Sequence, residues 1–220
     1  MKRPLLAEAL GTALLLYAIV GSGIAADRLA SDDAVALFAH AASVGLALTV
    51  LIAMFGTVSG AHFNPAVTLG LWRAGMISTR LIVPYIGAQV AGAIAGVVVA
   101  NVSFGVDAFA VAATDRMTSG TFISEVMATL VLMLLILMLV RAGRAGSVAP
   151  AVGAWVAAAI FATSSTGFAN PAVTVARALT DTYTGIAPGS VPGFVLAQLV
   201  GAGLAVAIGM FLIPRSEMST

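Results

Sequence analysis

The sequence contains no cysteine and is poor in charged side chains. Without cysteine there is no disulfide framework, no thiol nucleophile and no thiolate metal ligand. Only 9% of the residues are charged, compared with about 25% in a typical soluble domain, and the net charge of +1 argues against nucleic acid or acidic partners. The two histidines are far apart and lack clustered carboxylates, so no metal site is predicted. No clustered acid, base and nucleophile are evident, and we therefore expect neither an enzyme nor a cofactor.

Hydrophobic residues, by contrast, make up 60% of the chain and form six long runs. A helix needs about 20 such residues to cross a hydrocarbon core. The predicted spans are residues 5–26, 34–55, 81–102, 121–140, 149–166 and 191–213. The first run is longer than the apolar region of a signal peptide and contains Glu8, so it is interpreted as a retained anchor. The composition predicts an integral membrane protein in contact with the lipid bilayer.

Basic residues between the spans predict the orientation of the chain. If the amino terminus lies in the cytoplasm, seven basic residues lie inside and three outside, in agreement with the positive-inside tendency. The inside residues are Lys2, Arg3, Arg73, Arg80, Arg141, Arg144 and Arg215, and the outside residues are Arg28, Arg116 and Arg177. We therefore expect both termini in the cytoplasm and the protein in the plasma (inner) membrane.

Two Asn-Pro-Ala-Val-Thr stretches, residues 64–68 and 170–174, each follow a long apolar run. Asn can cap a helix N-terminus and Pro fits the first helical position, so each stretch predicts the start of a short helix. A helix that begins where the chain should leave the membrane indicates a segment folded back into the bilayer. Two such starts predict a pair of facing half-helices.

The spans around these stretches also repeat. The pattern Glu-Xaa-Xaa-Xaa-Thr occurs at residues 8–12 and 125–129, and Ala-Gln-Xaa-Xaa-Gly-Ala occurs at residues 88–93 and 197–202. Each half holds three spans, an odd number, so the second half enters the membrane from the opposite side.

The fold class predicted from these patterns is an all-α membrane protein. It has six transmembrane helices and two re-entrant half-helices in an inverted repeat. The repeats cover approximately residues 1–110 and 115–220, within a single domain of residues 1–220.

The first re-entrant stretch reads Ser-Gly-Ala-His-Phe-Asn-Pro-Ala-Val-Thr over residues 59–68, and a second Asn-Pro-Ala begins at Asn170. Together with six spans in inverted repeats, this combination resembles the aquaporin and glycerol-facilitator family of major intrinsic proteins over essentially the whole chain. The resemblance implies a single channel domain and a homotetramer with a separate pore in each subunit. It also implies that the half-helices meet end to end at Asn64 and Asn170.

The resemblance places the pore midplane at the two motifs, that is at Asn64, Pro65, Ala66, Asn170, Pro171 and Ala172. Each half-helix N-terminus contributes about half an elementary positive charge there, which disfavours cations. The Asn amides are expected to donate hydrogen bonds to the oxygen of a passing solute and so to interrupt a proton wire. The alternative is that each Asn only caps its own helix.

Loop-supporting roles are expected for Glu8, Glu125 and His62. The family has a buried Glu that holds each re-entrant loop by accepting backbone N–H bonds, and Glu8 and Glu125 match it. A proton relay is the alternative, because ionisable groups inside spans are functional candidates. His62 is expected to line the inner pore mouth or to brace the loop. Gln89 and Gln198 are expected to form hydrogen bonds between helices.

The selectivity filter departs from most of the family. After the second Asn-Pro-Ala most members have an Arg, which donates hydrogen bonds and repels cations, whereas this chain has Val173. The family spacing assigns Val44 to a second filter position and Gly167 or Phe168 to a third. The position on the fifth span is left open among four residues, Ala158, Ala159, Ile160 and Phe161.

Two further polar residues lie near this region of the sequence. Arg177 follows Val173 by one helical turn and is expected to act at the outer end of the short helix, with partial replacement of the filter Arg as the alternative. His40, early in the second span, is expected at the membrane interface rather than as a ligand.

A wide filter without Arg resembles a bacterial branch of the family associated with arsenic resistance, which passes neutral trivalent arsenicals. We therefore expect a passive channel for small uncharged solutes such as water, glycerol and arsenite. One alternative is an ordinary water or glycerol channel whose barrier lies elsewhere. A second alternative is a coupled secondary transporter, which also uses inverted repeats and broken helices. For that alternative only Glu8 and Glu125 are candidate proton carriers.

Overall fold

The computed structural model describes residues 2–212, and within that range the chain forms eight α-helices and no β-strand. Six of them, with the short 3₁₀ turns that precede some, are long and apolar enough to cross a membrane. In chain order the helices are α1 (Lys2–Leu29), α2 (Asp33–Ser59), α3 (Pro65–Arg73), α4 (Ile82–Ser103), α5 (Ser119–Arg141), α6 (Val148–Ala162), α7 (Pro171–Ala176) and α8 (Val191–Leu212).

The predicted fold class is confirmed, because six membrane-crossing helices are combined with two short ones, α3 and α7. Each short helix begins with a proline directly after a capping Asn, which is the local signal that predicted it. Large apolar side chains such as Leu46, Val83 and Phe211 are exposed on the long helices, as expected for contact with lipid.

The fifth predicted span is wrong at its end. Residues 149–166 are predicted as one span, but α6 ends at Ala162 and Thr163 already has extended backbone angles. Positions 163–166 read Thr-Ser-Ser-Thr, so the apolar run ends with α6 and the predicted span extends four residues too far. The last residue of the sixth predicted span, at position 213, and Arg215 lie outside the described residues.

The long helices pack in close pairs, with α1 against α4 and α2, α5 against α8, and α2 against α6. Glycines permit this approach. A Cβ atom on Gly92 would overlap the Ala9 carbonyl oxygen of α1, and one on Gly201 would overlap the Val126 carbonyl oxygen of α5. Small residues at such contacts are typical of helices in lipid, where the hydrophobic effect does not drive helices together.

Each short helix packs against a long helix from the other half of the chain, α3 against α8 and α7 against α4. The two short helices also contact each other. Their N-termini therefore meet inside the bundle, and the loops that precede them are buried there.

Candidate functional site

Two loops of matching backbone conformation lead into α3 and α7. Residues with φ between +47° and +88° occupy equivalent positions, namely Gly60, Ala61 and Phe63 before α3, and Thr166, Gly167 and Ala169 before α7. A non-glycine residue in this conformation costs about 1–3 kcal/mol. The loops therefore need support from the structure around them.

Glu8 of α1 supplies this support to the first loop. Its Oε1 accepts hydrogen bonds from Ser59 Oγ (2.6 Å) and the His62 backbone N–H (2.9 Å). Its Oε2 accepts from the Phe63 backbone N–H (2.7 Å) and from Gln89 Nε2 (2.8 Å). Four donors thus converge on one buried carboxylate, and two of them are backbone groups of the strained loop.

Glu125 of α5 makes the same set of contacts with the second loop. Its Oε1 accepts from Ser165 Oγ (2.7 Å) and the Phe168 N–H (2.8 Å). Its Oε2 accepts from the Ala169 N–H (2.9 Å) and Gln198 Nε2 (2.6 Å). These contacts are those of a brace, and they match the first half atom for atom.

Asn64 and Asn170 each cap a short helix and also reach across to the opposite loop. Asn64 Oδ1 accepts from the N–H groups at positions 66 and 67, and Asn170 Oδ1 from those at 172 and 173. Asn64 Nδ2 donates to the Ala169 carbonyl (2.7 Å), and Asn170 Nδ2 donates to the Phe63 carbonyl (2.8 Å). These crossed hydrogen bonds were not predicted from the sequence. They leave one N–H of each amide for another acceptor.

The prolines and alanines of the two Asn-Pro-Ala motifs do not line the cavity described next. Pro65 and Pro171 begin the short helices, and Ala66 and Ala172 are fully buried behind them. Their contribution to the midplane is therefore to position the two asparagines.

A cavity that is partly open to solvent lies between the long helices and both loops. Most of its wall is aliphatic, formed by Leu15, Ile19, Val44, Leu48, Ile52, Val67, Leu71, Leu132, Ile136, Val148, Val152, Val156, Ile160 and Val173. Its polar side chains are His40, His62, Asn64, Thr166, Asn170 and Arg177. Glu8 and Glu125 are not part of the lining.

The two loops add backbone acceptors to this wall. Residues 60–62 and 166–168 all line the cavity. Their carbonyl oxygens accept no hydrogen bond from any residue between positions 2 and 212. They therefore have no donor within the described part of the chain.

His62 lines the cavity, and its side chain is also held by Thr68 and Tyr85. Its Nδ1 lies 3.0 Å from Thr68 Oγ1, and its ring packs edge-on against Tyr85 with 5.2 Å between the ring centroids. The Tyr85 hydroxyl donates to the Ser59 carbonyl (2.9 Å). The geometry therefore supports both alternatives for His62, a lining group and a brace.

The predicted filter residues Val44, Gly167, Phe168 and Val173 all line the same cavity. Of the four candidates on the fifth span, Ile160 lines it as well. Ala159 is buried, and a Cβ atom on Gly167 would lie 2.9 Å from it, whereas Ala158 and Phe161 are exposed on the outer surface of α6. Among these candidates Ile160 is the one that a solute could touch.

Arg177 lies at the end of α7, as expected, and its side chain also lines the cavity, as does His40, which was expected at the membrane interface. Each side chain is only 4% exposed. The guanidinium carbon of Arg177 lies 3.4 Å from the centroid of the Phe168 ring. The signal that could have found them is spacing, because Arg177 follows Val173 by four residues and His40 precedes Val44 by four, which puts each pair on one helix face.

The loop of residues 180–187 covers this end of the cavity. Arg116 holds it by donating from Nε to the Gly185 carbonyl (2.6 Å) and from Nη2 to the Tyr183 carbonyl (2.9 Å). The loop's adjacent residues contact both polar lining groups, since Thr184 accepts a hydrogen bond from Arg177 Nε and the Tyr183 ring packs against His40.

A group of hydrogen bonds among Asp115, Met117 and Ser190, here called the clasp, fixes the start of α8. Hydrogen bonds from the Ser190 hydroxyl and then from the Met117 N–H lower the pKa of Asp115 below its usual value. A lowered pKa means that the clasp stabilises the fold above the pKa of the unfolded chain and is lost as the pH falls through the folded value. At neutral pH the clasp is therefore intact.

Comparison with known proteins agrees with this geometry. The family model described as major intrinsic protein matches residues 1–169. Aquaglyceroporin AqpS of Rhizobium meliloti (strain 1021) is 45% identical over 213 residues, which cover 97% of this chain and 91% of that protein. Aquaporin TIP2-1 of Arabidopsis thaliana is 34% identical over 218 residues, which cover 92% of this chain and 84% of that protein.

Solved structures show the same arrangement of helices. The X-ray structure of the aquaglyceroporin from Plasmodium falciparum is similar with a TM-score of 0.74 and 23% sequence identity, covering 99% of both chains. At this level of identity the likeness concerns the fold alone.

Proposed function

The chain belongs to the major intrinsic protein family, a family of membrane channels without enzymatic activity, and from this premise we propose that it conducts small uncharged solutes passively. The proposed solutes are water, glycerol and neutral metalloids such as arsenite. The observation that carries the proposal is the cavity between the helices, with Val173 in its wall where most of the family has Arg.

The aliphatic wall and the sparse polar groups suit a neutral polyhydroxylated solute. Carbonyl oxygens of residues 60–62 and 166–168 offer acceptors for its hydroxyl hydrogens. The free N–H groups of Asn64 and Asn170 offer donors for its oxygens. Such groups replace part of the water that the solute loses on entry, while the aliphatic residues contact its carbon skeleton.

Two physical effects at the midplane disfavour ions. The N-termini of α3 and α7 meet there, and each adds about half an elementary positive charge that repels cations. The aliphatic wall also offers no compensation for the lost hydration of an ion. The midplane therefore favours uncharged molecules over ions even without the filter Arg.

We extend the proposal to assembly and orientation. The protein forms a homotetramer with a pore in each subunit and lies in the plasma (inner) membrane with both termini in the cytoplasm. The excess of basic residues on the proposed inner side supports this orientation. The matched contacts of Glu8 and Glu125 support inverted repeats of approximately residues 1–110 and 115–220.

An ordinary water or glycerol channel is the second candidate, and Arg177 in the cavity lining favours it, because this residue could supply a barrier outside Val173. A coupled secondary transporter is not supported. Its candidate proton carriers, Glu8 and Glu125, each accept four hydrogen bonds and are absent from the cavity lining.

The substitution Val173→Arg tests the filter. It adds a charge and bulk to the wall, and we expect it to lower glycerol and arsenite flux in proteoliposomes by about tenfold or more, which corresponds to about 1.4 kcal/mol of added barrier. Val173→Ile is the matched control and keeps the wall aliphatic, so its flux should stay close to that of the wild type. Unchanged solute flux in a folded Val173→Arg protein would show that Val173 is not part of the filter.

A further inference from the structure

We propose that Arg177 and His40 form a second constriction one helical turn beyond Val173 and Val44, at which Arg177 excludes cations and donates hydrogen bonds to neutral solutes. This assignment rests on the proposed function, because it concerns the specificity of the same pore.

Both residues are displaced in the same direction from the predicted filter. The Arg177 backbone N–H donates to the Val173 carbonyl at the end of α7, so the two side chains are one helical turn apart. His40 lies one turn before Val44 in α2. Adjacent residues of the covering loop, Tyr183 and Thr184, contact His40 and Arg177 respectively, which places the pair at one end of the cavity.

Arg177 is a buried cation without a counter-ion. It is 4% exposed, and no carboxylate within the described range forms a salt bridge with it. Its Nε donates to the Thr184 carbonyl and its guanidinium stacks on Phe168. Its two Nη groups have no hydrogen-bond partner in the same range and are not sealed from the cavity.

Such a group is expensive to bury, because a charge taken from water needs hydrogen bonds or an opposite charge. Here the free Nη donors line the cavity instead. They would bind the oxygen of a neutral solute, and their positive charge would repel a cation in surroundings of low dielectric constant.

His40 supplies a second polar group at the same level. Its Nδ1 is 2.9 Å from Ser22 Oγ, which orients the ring. The side chain is only 4% exposed, and no residue in positions 2–212 forms a hydrogen bond with its Nε2. Nε2 is therefore free to contact a solute that Arg177 holds.

Urea and guanidinium test this assignment, because they are planar solutes of similar size that differ in charge. Flux of each into proteoliposomes would be compared for the wild type, Arg177→Gln and Arg177→Lys. We expect Arg177→Gln to raise guanidinium flux by about tenfold or more, equal to about 1.4 kcal/mol of lost barrier, with urea flux little changed. Arg177→Lys keeps the charge and should keep guanidinium out.

Arg28→Gln is the matched control. Arg28 also lies over an aromatic ring, at 6.0 Å from the Phe104 centroid, and donates to the Phe104 carbonyl (3.0 Å), but it is exposed and does not line the cavity. We expect this variant to remain closed to guanidinium. Arg177→Met, which keeps an apolar stem on Phe168, takes the place of Arg177→Gln if the latter does not fold.

Three results would overturn the assignment. They are guanidinium exclusion in a folded Arg177→Gln or Arg177→Met protein, an equal rise of urea and guanidinium flux, and the same leak in Arg28→Gln. Glycerol flux through the wild type separates this failure from failure of the proposed function. A wild type without glycerol flux contradicts the channel, whereas a conducting wild type with a cation-tight Arg177 variant contradicts only the constriction.

Discussion

At each buried glutamate four hydrogen-bond donors converge on one carboxylate. Glutamine in the same place has a single side-chain oxygen and brings two additional N–H groups, so donors of the loop would be left without an acceptor. The negative charge is therefore suited to holding the loop, and the residues need not take part in transport.

The variant Glu125→Gln tests this role. We expect the free energy of unfolding to fall by about 1–3 kcal/mol for the unsatisfied buried donors, measured by thermal unfolding in detergent. Glu8→Gln removes the equivalent contacts in the other half and should have a comparable effect. A fully stable Glu125→Gln protein whose flux loses a dependence on a proton gradient would instead indicate a proton relay.

Single residues also show where sequence reasoning stops. The asparagines were predicted from a local signal, the helix cap. The bracing role of the glutamates was implied by the family resemblance, because an ionisable group in a span only marks a functional candidate. His40 was expected at the membrane interface and Arg177 only at the end of the short helix, because the direction of a side chain relative to a cavity depends on helix rotation. Spacing of four residues from Val173 and Val44 was the available signal, and it becomes decisive only once the cavity is known.

At the level of helices, close packing depends on where a glycine faces. On α8, Gly201 faces α5 so closely that an added Cβ atom would overlap the Val126 carbonyl oxygen, while Gly203 has no atom within 4 Å of such a Cβ. The two positions are two residues apart in one helix and therefore form a natural pair for comparison.

We expect Gly201→Ala to destabilise the protein by about 1–3 kcal/mol, because overpacking forces α5 and α8 apart. Gly203→Ala should be neutral or stabilise by up to about 1 kcal/mol, since Ala favours the helix. Thermal unfolding of both variants in the same detergent measures the difference. Equal effects at the two positions would mean that the α5–α8 contact is not limited by backbone approach.

The elements themselves were largely predictable. Long apolar runs predicted the spans, and Asn-Pro predicted both short helices, because these are local physical signals. The end of α6 was missed, because the predicted span included the polar residues 163–166 that follow the helix. The crossed hydrogen bonds of Asn64 and Asn170 join residues more than 100 positions apart, and no local pattern predicts such a contact.

On the scale of the whole molecule, the inverted arrangement brings two helix N-termini to one point in the membrane. Each half braces its own loop through a glutamate, and each short helix packs against the other half. Neither half alone encloses the cavity, whose wall includes residues from both. Conduction is accordingly proposed as a property of the complete bundle.

Solute flux through the purified protein in proteoliposomes tests the central claim, that this is a passive channel for small uncharged solutes. Glycerol and arsenite influx would be measured over a wide range of concentrations, with and without a proton gradient. We predict flux above that of protein-free liposomes which rises in proportion to concentration and does not change with the gradient. Absence of such flux, saturation at low solute concentration, or a requirement for the gradient would contradict it.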